Sequence, residues 1–127
     1  MKNTAQEIQS INEITLLVNR FYEKVQQDDL LGPIFEKVID DNWEPHLEKM
    51  YRFWETVLLN NHTYHGSPFA PHAKLPIGAD HFDRWLKLFL ETIDENFTGE
   101  KAKEAKWRAG KMAEMFQYKH KHINQQN

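Results

Sequence analysis

Residues 21–35 read FYEKVQQDDLLGPIF and contain the end of one helix, a corner and the start of another. Phe21 and Val25 continue an apolar repeat at intervals of three or four residues, which is the period of one helical face. That repeat comprises Ile8, Ile11, Ile14, Leu17, Phe21 and Val25. The segment from Asp28 to Pro33 predicts a stop, because Pro33 suits the first turn of a new helix. The new helix is expected to carry Ile34, Phe35 and Val38.

The chain before this stretch offers two places where the first helix can begin. Thr4-Ala5-Gln6-Glu7 and Ser10-Ile11-Asn12-Glu13 both have the form of a capping box, in which a hydroxyl and a glutamate satisfy N–H groups of the first turn. One interpretation is a single helix start with a redundant cap. The other is a very short helix followed by the main one. The sequence leaves both open.

The chain after this stretch continues with a third helix and a long loop. Asn42 can cap the helix while Pro45 occupies its first turn. Its apolar stripe is expected to comprise Trp43, Leu47, Met50, Trp54 and Val57. Residues 60–71 contain Gly66, two prolines and scattered polar residues, which predict the longest loop. His72 follows at once, in a brief segment over residues 69–75.

The last part of the chain predicts two more helices. Asp80 is the expected N-cap of the first, Gly99 its end, and its stripe comprises Phe82, Trp85, Phe89, Ile93 and Phe97. The second carries Ala102, Ala105, Ala109, Met112 and Phe116, followed by a flexible tail over residues 119–127. No segment alternates with period two. The sequence therefore predicts one all-α domain over residues 1–127, with five or six helices.

Composition excludes several classes of function. Sixteen basic and nineteen acidic residues are interspersed and give a net charge of −3, so no basic surface for nucleic acid is expected. The chain has no cysteine, which excludes disulfides, thiolate metal sites and the thioether attachment of c-type haem. It shows neither a secretory signal nor a run of about 18 apolar residues, so no membrane association and a cytoplasmic location are expected.

Two of the seven histidines, His46 and His72, lie on different predicted elements with a long loop between them. This arrangement permits both imidazoles to line one cleft but does not require it. On residue patterns alone, His72 is an ordinary histidine after a proline-rich loop, and Tyr22 and Trp85 are ordinary core aromatics. No histidine belongs to a recognised metal-binding motif.

An ordered set of motifs nevertheless resembles one known family over nearly the whole chain. The set comprises Phe21-Tyr22-Glu23-Lys24-Val25, Leu31-Gly32-Pro33-Ile34-Phe35, His46 with Phe53-Trp54, Tyr64-x-Gly66-x-Pro68 leading to His72, and Trp85-Leu86-Lys87-Leu88-Phe89. These motifs resemble the truncated haemoglobins, most closely their third group. The paired glycines of the other groups are absent. The resemblance implies a two-over-two helical sandwich around a haem pocket.

The resemblance also implies a cofactor and roles for particular residues. It implies a noncovalent b-type haem, with His72 as the proximal iron ligand and Tyr22, His46 and Trp85 around the bound gas. His46 has three open roles: hydrogen bonding to the gas, gating its entry, or ligating the iron. Apolar wall is expected from Phe21, Phe35, Met50 and Trp54. Lys49 is a candidate partner for a haem propionate.

Three functional hypotheses follow from these expectations. The first is reversible binding or transport of a diatomic gas, such as oxygen, nitric oxide or carbon monoxide, at a five-coordinate haem. The second is a haem enzyme, either a nitric oxide dioxygenase or a peroxidase-like enzyme. It requires a separate reductase because the chain has no flavin or nicotinamide motif. The third is a haem-free helical interaction module, since amphipathic stripes alone explain much of the pattern.

Overall fold

The first helix begins at a capping box, as one of the two candidate sites predicts. The computed structural model describes residues 5–39, 43–64 and 77–125. Helix α1 spans Ile11–Gln27, and its N-cap is Ser10. The Ser10 hydroxyl accepts a hydrogen bond from the N–H of Asn12 at 3.2 Å, and the Glu13 carboxylate accepts one from the N–H of Ser10 at 2.8 Å. This reciprocal bonding sets the start of α1.

The residues before Ser10 are extended, which corrects the prediction that Ile8 belongs to the helix. Strand β1, Gln6–Glu7, pairs in parallel with strand β2, Phe97–Thr98. Ile8 is still buried, at 2% exposure, because it packs into the core from outside the helix. Of the alternatives for this end, a very short helix is therefore wrong over residues 6 and 7. Thr4 lies outside the described residues.

A tight corner separates α1 from α2, which spans Gly32–Ile39. Pro33 occupies the first turn of α2, as predicted. Gly32 is required by close approach, since a Cβ atom there would lie 2.8 Å from the carbonyl oxygen of Gln26. The Asp28 carboxylate accepts hydrogen bonds from the N–H groups of Leu30 and Leu31, at 3.0 and 2.9 Å. The corner is thus held by its own backbone and one carboxylate.

Asp28 also ties this corner to α4 through Arg84. The Arg84 guanidinium donates to Asp28 Oδ1 at 2.6 Å, and the Asp28 side chain is only 9% exposed. Burial alone would raise the pKa of Asp28, but the hydrogen bonds from Leu31, Arg84 and Leu30 outweigh it and hold the pKa below its ordinary value. Asp28 is therefore ionised in the folded protein under neutral conditions.

Removing this carboxylate is expected to destabilise the protein in a pH-dependent way. Asp28→Ala should lower the free energy of unfolding by about 1 kcal/mol at neutral pH, as the loss of a capping side chain does. The pKa of Asp28 is lower in the folded protein than in the unfolded chain. The contribution of its carboxylate to the free energy of unfolding is therefore complete above the unfolded pKa of about 4, and it is lost as the pH falls through the lower folded pKa. Urea unfolding of both proteins at neutral pH and at about pH 2 measures this.

Asp29→Ala is the matched control, because the Asp29 side chain is 96% exposed and lies 3.5 Å from the same guanidinium. It should change the free energy of unfolding by less than about 0.5 kcal/mol at either pH. The free energies of unfolding of Asp28→Ala and the unsubstituted protein should converge in acid. If they differ there as much as at neutral pH, the role given to the ionised carboxylate is contradicted.

Three further helices follow in the described part of the chain. Helix α3 spans Trp43–Leu59 with Pro45 in its first turn, as predicted, and its expected cap Asn42 lies outside the described residues. Helix α4 spans Ala79–Asn96, and α5 spans Glu100–Gln125. The prediction of Asp80 as the N-cap of α4 is wrong. Gly78 is the N-cap, and its N–H donates to His81 Nδ1 at 2.9 Å.

The connection from α4 to α5 and the end of α5 also differ from expectation. Helix α4 ends at Asn96 rather than at Gly99, because β2 intervenes. Gly99 adopts a φ of 94°, a conformation that side chains disfavour, and α5 begins at the next residue. Where a tail is expected from Lys119, α5 continues to Gln125 and His120 is buried.

The helices pack as two pairs, α1 with α3 and α4 with α5, and α1 also packs on α4. This is the predicted all-α, two-over-two arrangement. The interior includes Ile14, Leu17 and Val25 of α1, Leu58 of α3, Ile93 of α4 and Ala105 of α5. None of the helices described has the length and apolar character to cross a membrane.

Candidate functional site

Tyr22 lies where α1, α2 and α3 meet, surrounded by aromatic rings. Its ring centroid is 6.1 Å from that of Phe35 on α2, 5.9 Å from that of Trp43 and 5.0 Å from that of His46, both on α3. The planes of Tyr22 and His46 are nearly perpendicular, at 86°. The corner held by Asp28 brings Phe35 back against Tyr22. The structure therefore brings together Tyr22, Phe35 and His46.

The polar atoms of this cluster lie in an apolar environment. Tyr22 is 8% exposed, and burial raises the pKa of its phenol because a phenolate would lose its hydration. The hydroxyl of Tyr22 is thus protonated and able to donate a hydrogen bond at any ordinary pH. The Nε2 atom of His46 is buried as well. An aromatic cleft with two polar groups is typical of a site for a small ligand.

Trp85 belongs to a second aromatic group that adjoins the first through Phe21. The Phe21 ring lies 4.9 Å from that of Tyr22 and 5.6 Å from that of Trp85 on α4. Trp85 stacks on Phe89 one turn later, at 5.6 Å and 8°, and Phe89 stacks on Trp54 of α3 at 4.9 Å and 19°. The ring of Phe21 therefore lies between those of Trp85 and Tyr22, and Trp54 lies behind Phe89 in the core.

The remaining predicted site residues are placed less closely. Met50 is half-buried and packs on the core, and Lys49 is exposed. His72 lies outside the described residues, so the structure places no proximal group. The described range that precedes His72 in the sequence ends at Tyr64. The N–H of Tyr64 donates to the Thr56 hydroxyl at 3.0 Å.

Two aromatic residues of the site were given no site role by the sequence. Trp43 contacts both Tyr22 and His46, with its centroid 6.1 Å from that of His46. Its position three residues before His46 on one helix is a signal that could have identified it, because side chains three apart are neighbours. Phe89 is four residues after Trp85 and was counted only in an apolar stripe.

The residues present fit a haem. Such a group needs apolar contacts over a flat area and a few polar groups on the face where gas binds. Phe35, Trp43 and Trp85 are half-buried aromatic side chains next to the core, and Tyr22 and His46 supply the polar groups. The contacts of Tyr22 described above include no carboxylate, which suits a gas rather than a cation.

Comparison with known proteins agrees with this chemistry. A family model described as bacterial-like globin matches residues 6–120. The chain belongs to the bacterial-like globin family. This globin is 37% identical over 115 residues to Group 3 truncated hemoglobin of Campylobacter jejuni, a match that covers 86% of this chain and 91% of that protein.

Comparison with a solved structure agrees on the fold. The globin matches the crystal structure of a group III truncated hemoglobin from Campylobacter jejuni with a TM-score of 0.83 and 35% sequence identity. The match covers 91% of this chain and 94% of that one. The resemblance to the third group is thereby confirmed. Membership of the family implies a haem cofactor and the binding of diatomic gases.

Proposed function

We propose that this globin binds a b-type haem noncovalently, with His72 as proximal ligand and with Tyr22, His46 and Trp85 on the face where the gas binds. The observation that carries the proposal is the buried contact between Tyr22 and His46, two polar rings 5.0 Å apart among aromatic residues from three helices. Oxygen is the ligand that best matches protonated donors, because they favour a ligand that gains negative charge.

When bound, the haem supplies an iron atom that takes the gas and shifts electron density onto it. The Tyr22 hydroxyl holds its proton and donates it in a hydrogen bond to the gas, since burial disfavours the phenolate. The Trp85 indole N–H is the second donor that this assignment uses. Phe35 and Met50 exclude water from the same face. Strong donors slow the release of oxygen, which suits gas chemistry better than delivery.

Two assignments at the edge of the pocket are part of the proposal. Lys49 is assigned to a propionate at the pocket mouth. It is exposed and lies one turn after His46 on α3. His46 is assigned to the gas side, where its ring lies 5.0 Å from that of Tyr22 and nearly perpendicular to it, at 86°. Phe21 and Trp54 support the pocket from behind through Phe89 and Trp85.

Haem titration of the purified apoprotein tests the proposal. We expect uptake to saturate at one haem per chain, and the ferrous protein to give a sharp visible band with carbon monoxide. The same titration of urea-unfolded protein is the control for adsorption of haem to exposed apolar side chains. A folded protein that takes up no more haem than the unfolded control would contradict the proposal and would favour a helical interaction module.

A further inference from the structure

An unbroken series of aromatic rings joins the pocket to the far end of α3. The series runs from Trp85 through Phe89, Trp54 and Phe53 to Tyr64. The distances between the centroids of successive rings are 5.6, 4.9, 5.2 and 5.4 Å. Every step is a direct ring contact, and the first two are stacked. We call these five residues the aromatic series. It crosses the interior from α4 to the residues that follow α3.

The two ends of the aromatic series differ from its middle. Phe89 is 1% exposed and Trp54 is 4% exposed, so the middle is shielded from water. Tyr64 is half-buried and reaches the surface. Its N–H is bonded to the Thr56 hydroxyl, and the neighbouring Thr63 hydroxyl donates to the Glu55 carboxylate at 2.9 Å. These bonds hold the backbone at Tyr64, whose ring contacts that of Phe53.

Rings that are readily oxidised alternate with phenyl rings along the aromatic series. Indole and phenol are the side chains most readily oxidised by one electron in a chain without cysteine, whereas a phenyl ring is not oxidised but can bridge two that are. Trp85, Trp54 and Tyr64 are therefore three oxidisable sites, each separated from the next by one phenyl ring. Burial raises the pKa of Tyr64, so its phenol is protonated at rest and must release a proton when oxidised.

We propose that Trp85, Trp54 and Tyr64 conduct electrons from the surface to the haem pocket when hydrogen peroxide is reduced there. The proposal rests on the proposed function, because Trp85 is the end assigned to the haem. Its consequence is that the oxidised site moves outward and comes to rest on Tyr64, where a reductant in solution can reach it. Packing alone requires no oxidisable ring at the surface end, since phenylalanine would fill the same place.

The reaction balances with one named co-reactant. One peroxide accepts two electrons and two protons and becomes two waters. Tyr64 supplies the electrons one at a time through the aromatic series and releases its phenolic proton to solvent each time, while the pocket takes up the two protons. A one-electron reductant such as ascorbate returns a hydrogen atom to the tyrosyl oxygen after each transfer. Two ascorbates are thereby oxidised to their radicals for each peroxide consumed.

The test locates the oxidised residue rather than measuring turnover. Haem-loaded protein receives stoichiometric peroxide without reductant, in the presence of a nitroso spin trap, and peptide mass spectrometry identifies the residue that carries the adduct. We expect the adduct on Tyr64. Tyr64→Phe should abolish that adduct, and added ascorbate should suppress it in the unsubstituted protein.

Variants inside and outside the aromatic series make the test specific. Phe89→Leu should reduce the Tyr64 adduct several-fold while peroxide is still consumed, and Trp54→Phe should do the same with the ring stack kept. Tyr118→Phe is the matched control, because Tyr118 is a tyrosine at 69% exposure on α5, outside the aromatic series. It should leave the Tyr64 adduct unchanged.

The outcomes separate this inference from the proposed function. A protein that takes up haem and consumes peroxide but carries its adduct on Tyr118 or Trp107 would overturn the inference alone. So would a Tyr64 adduct that is undiminished in both Phe89→Leu and Trp54→Phe. Failure to take up haem, seen as the absence of its absorption band, would overturn the proposed function and the inference together.

Discussion

Replacing Tyr22 with phenylalanine is expected to speed the release of oxygen by roughly ten- to a hundredfold, which corresponds to the loss of one hydrogen bond of about 1–3 kcal/mol. The change removes only the hydroxyl and keeps the ring that packs on Phe21, Phe35 and His46. Because the phenol is buried, its hydrogen bond is not replaced by bulk water. Stopped-flow displacement of oxygen by carbon monoxide measures the rate.

Tyr51→Phe is the matched control for this substitution. The Tyr51 hydroxyl donates to Asn19 Oδ1 at 2.6 Å, so the control loses a hydroxyl engaged between α1 and α3 rather than one in the cluster around Tyr22. It should lower stability by about 1 kcal/mol and leave oxygen release unchanged. Equal release rates in Tyr22→Phe and the unsubstituted protein would show that Tyr22 is a packing residue without a bond to the gas.

The helices of the first half were predictable because their ends are set by local chemistry. Ser10 and Glu13 form the predicted capping box, and Pro33 and Pro45 both lie in first turns. Each of these signals acts within four residues of its partner. The apolar repeat predicted the buried face of α1 for the same reason, since Ile14, Leu17, Phe21 and Val25 are all buried.

The errors arise where a distant part of the chain decides the structure. Residues 6 and 7 are extended because they pair with Phe97 and Thr98, more than 80 positions away. The same pairing ends α4 before Gly99. Near Lys119, the polar composition favours a tail, but the helix continues and His120 is buried. Helix propensity depends on neighbouring residues and therefore does not predict contacts with distant parts of the chain.

The candidate site was predictable only in part. The residues alone left Tyr22 and Trp85 as core aromatics, and the resemblance assigned them to a pocket. The structure brings Tyr22 to His46, and it adds Trp43 and Phe89, whose roles depend on which helices face each other. The proximal role of His72 remains a prediction, since that residue lies outside the part of the chain that the structure describes.

The central claim, that His72 ligates the haem iron, is tested most directly by the visible spectrum of the ferrous carbon monoxide form. His72→Gly should lose the band given by an imidazole opposite the gas, and added imidazole should restore it by occupying the space of the missing side chain. His62→Gly, at an exposed histidine, is the control and should keep the band without imidazole. An unaltered band in His72→Gly, with no imidazole present, would contradict the account.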